Sequence, residues 1–401
     1  MKRYWYPLTV LILSAGLAFP QESTASHPPI PVLAWAAIPA PEIRAERFRE
    51  LREMGITIGL SSCPDLARAE QVLDLAREAG LQMVISCPEL KTDPERTVKK
   101  VMGHAALAGY FLKDEPVRAE FAELGAWVRR IAAVDSRHFC LVNLMAGIHP
   151  TRTEALGAAS YAEFVRTFIG EVPVQLLSFD FYPVLQAEVH ERWYESLEIF
   201  SAEARKAAKP FWAFALASSY NELHPVPTVA ALRLQMFSNL AYGAQGLQYW
   251  TYWMSQGLRS APISLSGRRT VVYDRIRQVN GEIQAMGGFL SGARVVRVGH
   301  TGTVIPRGTS RLEKLPWAVD VLETDGAGAL VSVLEKGESS FLAVINRDLQ
   351  RSLALILLGD ESLQKIQKDG SVVKASAYEN RTDLEPGDMA LYRFPTKSTR
   401  P

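Results

Sequence analysis

From residue 32 onward, short apolar runs alternate with amphipathic, charged stretches. Val32 to Ala36 reads as a buried strand, and Pro41 to Met54 as a helix with Phe48, Leu51 and Met54 on one face and Gly55 as its stop. The rhythm repeats. Further strands are predicted over residues 56–60, 81–86, 107–112, 139–144, 174–181, 211–217 and 247–253. Helices are predicted over 66–79, 94–104, 121–134, 161–169, 193–208, 228–241 and 271–286. Eight strand-then-helix units in about 260 residues predict an α/β fold of the (β/α)8 barrel type. The rival is a doubly wound open sheet, which opens on a glycine-rich turn and usually stops at five or six strands. Here the first turn is Ala37-Ile38-Pro39.

Near residue 290 the helical period ends. Alternating runs follow at 330–334, 341–345, 353–357, 371–376 and 389–394, separated by Lys336-Gly337, Asp369-Gly370 and Pro386-Gly387. They predict a small C-terminal antiparallel β-sandwich. The expected plan is a leader at 1–25, a barrel at 26–290 and a β-domain at 291–398.

The leader carries Lys2 and Arg3, an apolar run from Leu8 to Leu17, and small-residue cleavage sites at Gly16-Leu17-Ala18 and Ser23-Thr24-Ala25. This is the pattern of a secretory signal, too short for a stable membrane anchor. No cysteine lies near the cleavage region, so no lipid attachment is expected there. The mature chain is expected to be secreted or periplasmic, without a membrane anchor. Lys and Arg number 44 against 43 Asp and Glu, a net charge of +1, which gives no general attraction to nucleic acid. Histidines 104, 138, 149, 190, 224 and 300 have no paired ligand spacing and read as surface or turn residues. No metal and no cofactor are expected. Walker, Rossmann and GxSxG patterns are missing from the sequence. Cys63 and Cys87 follow neighbouring strands in similar contexts, which leaves open a disulfide or two buried thiols. Cys140, inside the fifth strand, reads as core.

In a barrel, working groups sit where strands end. Those positions hold Trp35, Glu89, Asp114-Glu115, Asn143, Asp180, Tyr182 and the aromatic run Trp250-Thr251-Tyr252-Trp253. Carboxylates and amides for hydroxyls, with aromatic faces for C–H surfaces, suit a saccharide. The sharpest segment is Leu112-Lys113-Asp114-Glu115-Pro116, a buried strand running into two adjacent carboxylates. Two like charges in a cleft raise one pKa, as a general acid requires; a solvated loop is the bland alternative. In Leu177 to Pro183, Ser178, Asp180 and Tyr182 share the inward parity. Asp180 is then a nucleophile, a water activator, a hydroxyl ligand or a structural turn cap. Trp250 and Trp253 differ in parity, so one of them is expected to floor the site.

These residues resemble the clan A glycoside hydrolases, retaining (β/α)8 enzymes, over residues 31 to 395. The likeness rests on Phe48-Arg49-Glu50-Leu51-Arg52-Glu53-Met54-Gly55-Ile56, on Asp114-Glu115-Pro116 after the fourth strand, and on the aromatic eighth strand. Asp180-Phe181-Tyr182-Pro183 and Tyr242-Gly243-Ala244-Gln245-Gly246 are similar to secreted bacterial polysaccharide-utilisation hydrolases. The resemblance implies hydrolysis of O-glycosidic bonds in an oligo- or polysaccharide, with Glu115 as general acid/base. It implies Trp35, Glu89, Asn143, Tyr182, Glu222, Trp250 and Trp253 as sugar contacts. Two departures stand out. Asp114 occupies the family's asparagine position, and the seventh strand, Phe211 to Ser219, supplies no carboxylate nucleophile. Asp180, Glu222 or a substrate acetamido group oriented by Asp114 are the substitutes. The missing carboxylate also fits a non-catalytic carbohydrate-binding protein on a degenerate barrel. A polysaccharide lyase is disfavoured, since the sequence shows no basic cluster for a uronate.

Overall fold

The computed structural model describes residues 29–146, 150–186, 188–375 and 381–396. The leader, with the expected signal at 1–25, lies outside the described residues, as does His149. Eight parallel strands close into a barrel: β1 (Val32–Ala34), β2 (Ile58–Ser62), β3 (Gln82–Ser86), β4 (Leu107–Asp114), β5 (Phe139–Met145), β6 (Leu177–Asp180), β7 (Phe211–Leu216) and β8 (Gly246–Trp250). Each pairs with its neighbours in sequence, and β8 closes on β1 with Val32 opposite Leu247. The outer ring is α1 (Ala45–Glu53), α2 (Leu66–Glu78), α3 (Pro94–Val101), α4 (Phe121–Ala132), α5 (Tyr161–Glu171), α6 (Trp193–Lys206), α7 (Val229–Ala241) and α8 (Val271–Leu290).

Side-chain polarity explains the helix starts. Asp65, Ser160 and Thr228 each accept a backbone N–H from the first turn of α2, α5 and α7. Gly55 ends the α1 segment at φ +86°, a left-handed conformation that favours glycine. Strand alternation builds two apolar shells. Leu33, Ile58, Leu60, Val84, Leu141, Trp212 and Phe214 fill the barrel interior, while Val32, Met83, Val142, Leu177 and Phe179 face the helices. Gly246 lies against the Trp212 ring so closely that no Cβ fits there.

The C-terminal strands are β9 (Arg294–His300), β10 (Val319–Glu323), β11 (Ala329–Lys336), β12 (Ser339–Asn346), β13 (Leu353–Gly359), β14 (Gln364–Ile366), β15 (Val372–Lys374), β16 (Arg381–Leu384) and β17 (Met389–Pro395). They form a six-stranded sheet, β9-β11-β12-β17-β14-β15, facing a three-stranded sheet, β10-β13-β16. The predicted barrel and sandwich are therefore both present. Period 2 divides the larger sheet: Val331, Val333, Leu342 and Val344 face the sandwich core, and Leu330, Leu334, Phe341 and Ile345 face the barrel helices. Helix α7, wedged between barrel and sheet, is buried on all sides from Ala231 to Ala241, which accounts for its lack of a polar face. Within that layer Arg233 pairs with Glu282 of α8 and with Glu385, both at 2.6 Å. Cys63, Cys87 and Cys140 are buried free thiols, so of the two cysteine alternatives the thiols are realised.

Candidate active site

Strand β4 does not keep simple alternation. Phe111 points into the barrel against Trp35, with ring centroids 5.1 Å apart. Unbroken period 2 would then send Lys113 inward and Asp114 outward. A register shift between Phe111 and Lys113 inserts one residue and places Asp114 opposite Asn143 of β5. Such bulges re-aim side chains beside functional sites. Lys113 turns outward to Glu120, at 2.9 Å. Glu115 follows in the left-handed region, φ +46°, its N–H donating to the Asn143 carbonyl at 2.8 Å. That conformation costs a non-glycine residue about 1–2 kcal/mol, so surrounding contacts must hold it.

Beyond β6, Asp180 and Tyr182 emerge on the same rim. Glu115, Asp180 and Tyr182 line one cavity of about 1130 Å³ with Arg152, Tyr220 and His224. Met145, Phe181, Leu185 and Leu223 add apolar wall. Tyr220 stacks on His224, with ring centroids 4.3 Å apart, and its hydroxyl lies 3.1 Å from the imidazole Nε2. Trp250 packs on Tyr182 at 5.9 Å and edge-on to Tyr220 at 5.8 Å. The Trp250–Thr251 peptide is cis.

The site is dominated by three carboxyls, of which Glu115 and Asp180 are half-buried and Asp114 is exposed at the rim. Burial, then the charges of Glu115 and Asp114, push the Asp180 carboxyl up to about 8; a hydrogen bond with Tyr182 opposes this. Burial and then Asp114 raise Glu115, with Arg152 acting the other way. Burial also raises Asp114, opposed by hydrogen bonds from the Asn143 side chain and the Glu115 backbone and by the Lys113 charge. Tyr182 is raised well above the ordinary phenol range by burial and by Asp180. Burial lowers His224, which favours the neutral ring. With Asp180 pushed up to about 8, one carboxyl of the cluster is placed to carry a proton at neutral pH, as general acid–base chemistry requires. Among the described residues no group of three His, Cys, Asp or Glu side chains is arranged to hold a metal ion.

The structure gathers some of the predicted residues and separates others. Glu115, Asp180 and Tyr182 line the cavity, and Trp250 backs its tyrosines. Asp114 and Asn143 stand behind Glu115, and Trp35 lies in the barrel interior below. Three others are elsewhere. Glu89 accepts the N–H of Leu66 at the start of α2. Glu222 is 85% exposed on its loop and pairs with Arg259. Trp253 is buried in the helix-facing core under Arg47, whose guanidinium lies 4.9 Å from the ring centroid. The sequence does not single out Arg152, and His224 reads there as a surface or turn residue. The Tyr220-x-x-x-His224 spacing was the available signal.

No family model matches the sequence, and no curated protein matches it. Solved structures do. A suspected α-galactosidase from Bacteroides fragilis aligns at a TM-score of 0.51 and 12% identity, covering 93% of this chain and 80% of that one. An α-amylase from Anoxybacillus aligns at 0.50 and 11%, covering 89% and 90%. This chain has the fold of those glycosidases. At such identities the likeness extends to fold alone.

Proposed function

We propose that the protein is a secreted glycoside hydrolase that cleaves O-glycosidic bonds of an oligo- or polysaccharide, with Glu115 and Asp180 as its catalytic carboxyl pair. The carrying observation is that both line one aromatic-walled cavity, where burial and the neighbouring carboxylates push Asp180 up to about 8. A carboxylic acid protonated at neutral pH can donate to the glycosidic oxygen as the C–O bond breaks. The ionised partner faces the positive charge growing on the sugar ring, as nucleophile or as base for water. The sequence reading gave the proton to Glu115. The electrostatics favour Asp180, which is the more strongly desolvated and faces two acidic neighbours. Glu222, out on its loop, has no part in this scheme. Tyr182, Tyr220 and Trp250 supply faces and hydroxyls for a saccharide. Export through the segment at 1–25 belongs to the same proposal.

A panel of aryl glycosides and oligosaccharides tests the reading. The wild-type chain should release sugar from at least one, and Glu115→Gln and Asp180→Asn should each lower kcat by about 10²–10⁴-fold while saccharide binding persists. Binding with no sugar released from any member would overturn the enzyme and leave a carbohydrate-binding barrel.

A further inference from the structure

Behind the cavity, side chains from five barrel strands or strand ends form one unbroken line of hydrogen bonds. The indole Nε1–H of Trp35 donates to Gln248 Oε1 at 2.9 Å. The Gln248 Nε2–H donates to Ser178 Oγ at 2.8 Å. The Ser178 hydroxyl donates to Asn143 Oδ1 at 2.8 Å, and Asn143 Nδ2–H donates to Asp114 Oδ1 at 3.1 Å. Asn143, Ser178 and Gln248 are at most 1% exposed, so bulk water does not compete along the line until it reaches Asp114, which is exposed.

Its direction is not arbitrary. An indole can only donate, so the Gln248 atom facing it must be oxygen and the amide nitrogen must face Ser178. The serine oxygen receives that N–H, and its own hydrogen has one acceptor on hand, Asn143 Oδ1. That fixes the asparagine, whose nitrogen must then point at Asp114. Every hydrogen runs one way, and Asp114 Oδ1 at the end accepts, which leaves only Oδ2 for a proton. Turning Asn143 over to meet a proton on that oxygen would aim a second N–H at Ser178 and leave the serine hydrogen without its acceptor. A buried polar group stranded in this way is costly, and an ionised acceptor makes the stronger bond.

We propose that this one-way relay favours the ionised form of Asp114 over that of its two acidic neighbours and makes Ser178 and Gln248 positioning residues for the Glu115–Asp180 pair. Asp114 does not itself line the cavity, whereas both members of the pair do. Its negative charge then keeps the proton on them. Other charged and titratable groups face the trio from each side. Lys113, on the same strand as Asp114, is engaged by Glu120, and Arg152 after β5 faces Glu115. Asp180 is faced by Tyr161 of α5, by Tyr182 and by Tyr220. The preference for an ionised Asp114 stands on the hydrogen-bond geometry; only its effect on turnover rests on the glycosidase reading.

The test is carboxyl ¹³C NMR titration of the full chain labelled at Asp and Glu, run beside the pH–rate profile. Ser178→Ala cuts the relay and frees Asn143 to turn. The Asp114 midpoint should rise and that of Asp180 fall, each by about one pH unit, with Ser178→Thr restoring both. A purely structural serine would lower the melting temperature and leave the midpoints in place; unmoved midpoints in folded Ser178→Ala would overturn the relay. If that variant does not fold, Asp114→Asn, which still accepts from Asn143, should lower the Asp180 midpoint by about one pH unit. No change there would overturn the proposal as well. Midpoints that move as expected in a protein that hydrolyses no glycoside would uphold the relay and sink only the catalytic reading.

Discussion

Replacing Asp180 with asparagine separates stability from activity. In the folded protein this carboxyl holds its proton to about pH 8, against an ordinary 3.8, because it is buried and faces Glu115 and Asp114. In the unfolded chain it titrates near its ordinary value. Below about pH 4 both states are protonated and the group makes no difference between them. As the pH climbs from there to about 8, only the unfolded chain sheds the proton, and folding is opposed by ~1.4 kcal/mol for each pH unit. The stability held in acid is thus lost progressively up to the folded-state value. The span from 3.8 to about 8 sets a ceiling of about 6 kcal/mol. Water in the cleft and sharing of the proton with Glu115 reduce this to about 2–3 kcal/mol. Asparagine carries no charge and still accepts a hydrogen bond from Tyr182. The variant should match wild-type stability near pH 4, exceed it by about 2–3 kcal/mol at pH 8, and lose about 10²–10⁴-fold in kcat. Urea denaturation at the two pH values, with m-values compared, measures the difference. An equal difference at both, or a variant less stable at pH 8, would refute the reasoning.

Two further changes probe the neighbourhood and the frame. The Tyr182 hydrogen bond favours the ionised form of Asp180, so Tyr182→Phe should raise the alkaline limb of the pH–rate profile by about 0.5–1 pH unit; a downward move counts against the bond. Arg233→Met leaves Glu282, only 11% exposed, without its buried guanidinium, and should cost about 3–5 kcal/mol in denaturant titration. Adding Glu282→Leu should recover most of that loss, and failure to recover it would assign the damage to packing.

The barrel was legible because its signals are local. Each predicted strand overlaps an observed one, since a buried parallel strand reads as an apolar run and the following helix as a 3.6-residue period. The ends were less legible. The eighth strand stops at Trp250 rather than 253, where the chain leaves β7 and crosses toward α1. In the C-terminal sheets, Arg294–His300, Val319–Glu323, Gln364–Ile366 and Arg381–Leu384 went unseen. These strands are short or half-exposed and rich in charge, and in the first two a register shift interrupts the alternation. What marks them as strands is a partner distant in sequence.

The site shows the same division more sharply. Asp114 and Glu115 were visible as a pair because they are adjacent at a strand end, yet which way Asp114 faces depends on one extra residue in β4, which Phe111-Leu112-Lys113 does not announce. Parity carried Ser178 inward correctly because β6 runs without irregularity from Leu177 to Asp180. Parity had no hold on Glu222 or Trp253, which lie beyond the last paired residues of β7 and β8, where loop packing decides direction. Gln248 meets an indole 213 positions away, and neither residue by itself suggests a role in fixing the charge of Asp114. The residues that could perform the chemistry are thus local facts of the chain, whereas the protonation states that would let them do so are set by neighbours brought together only when the barrel closes.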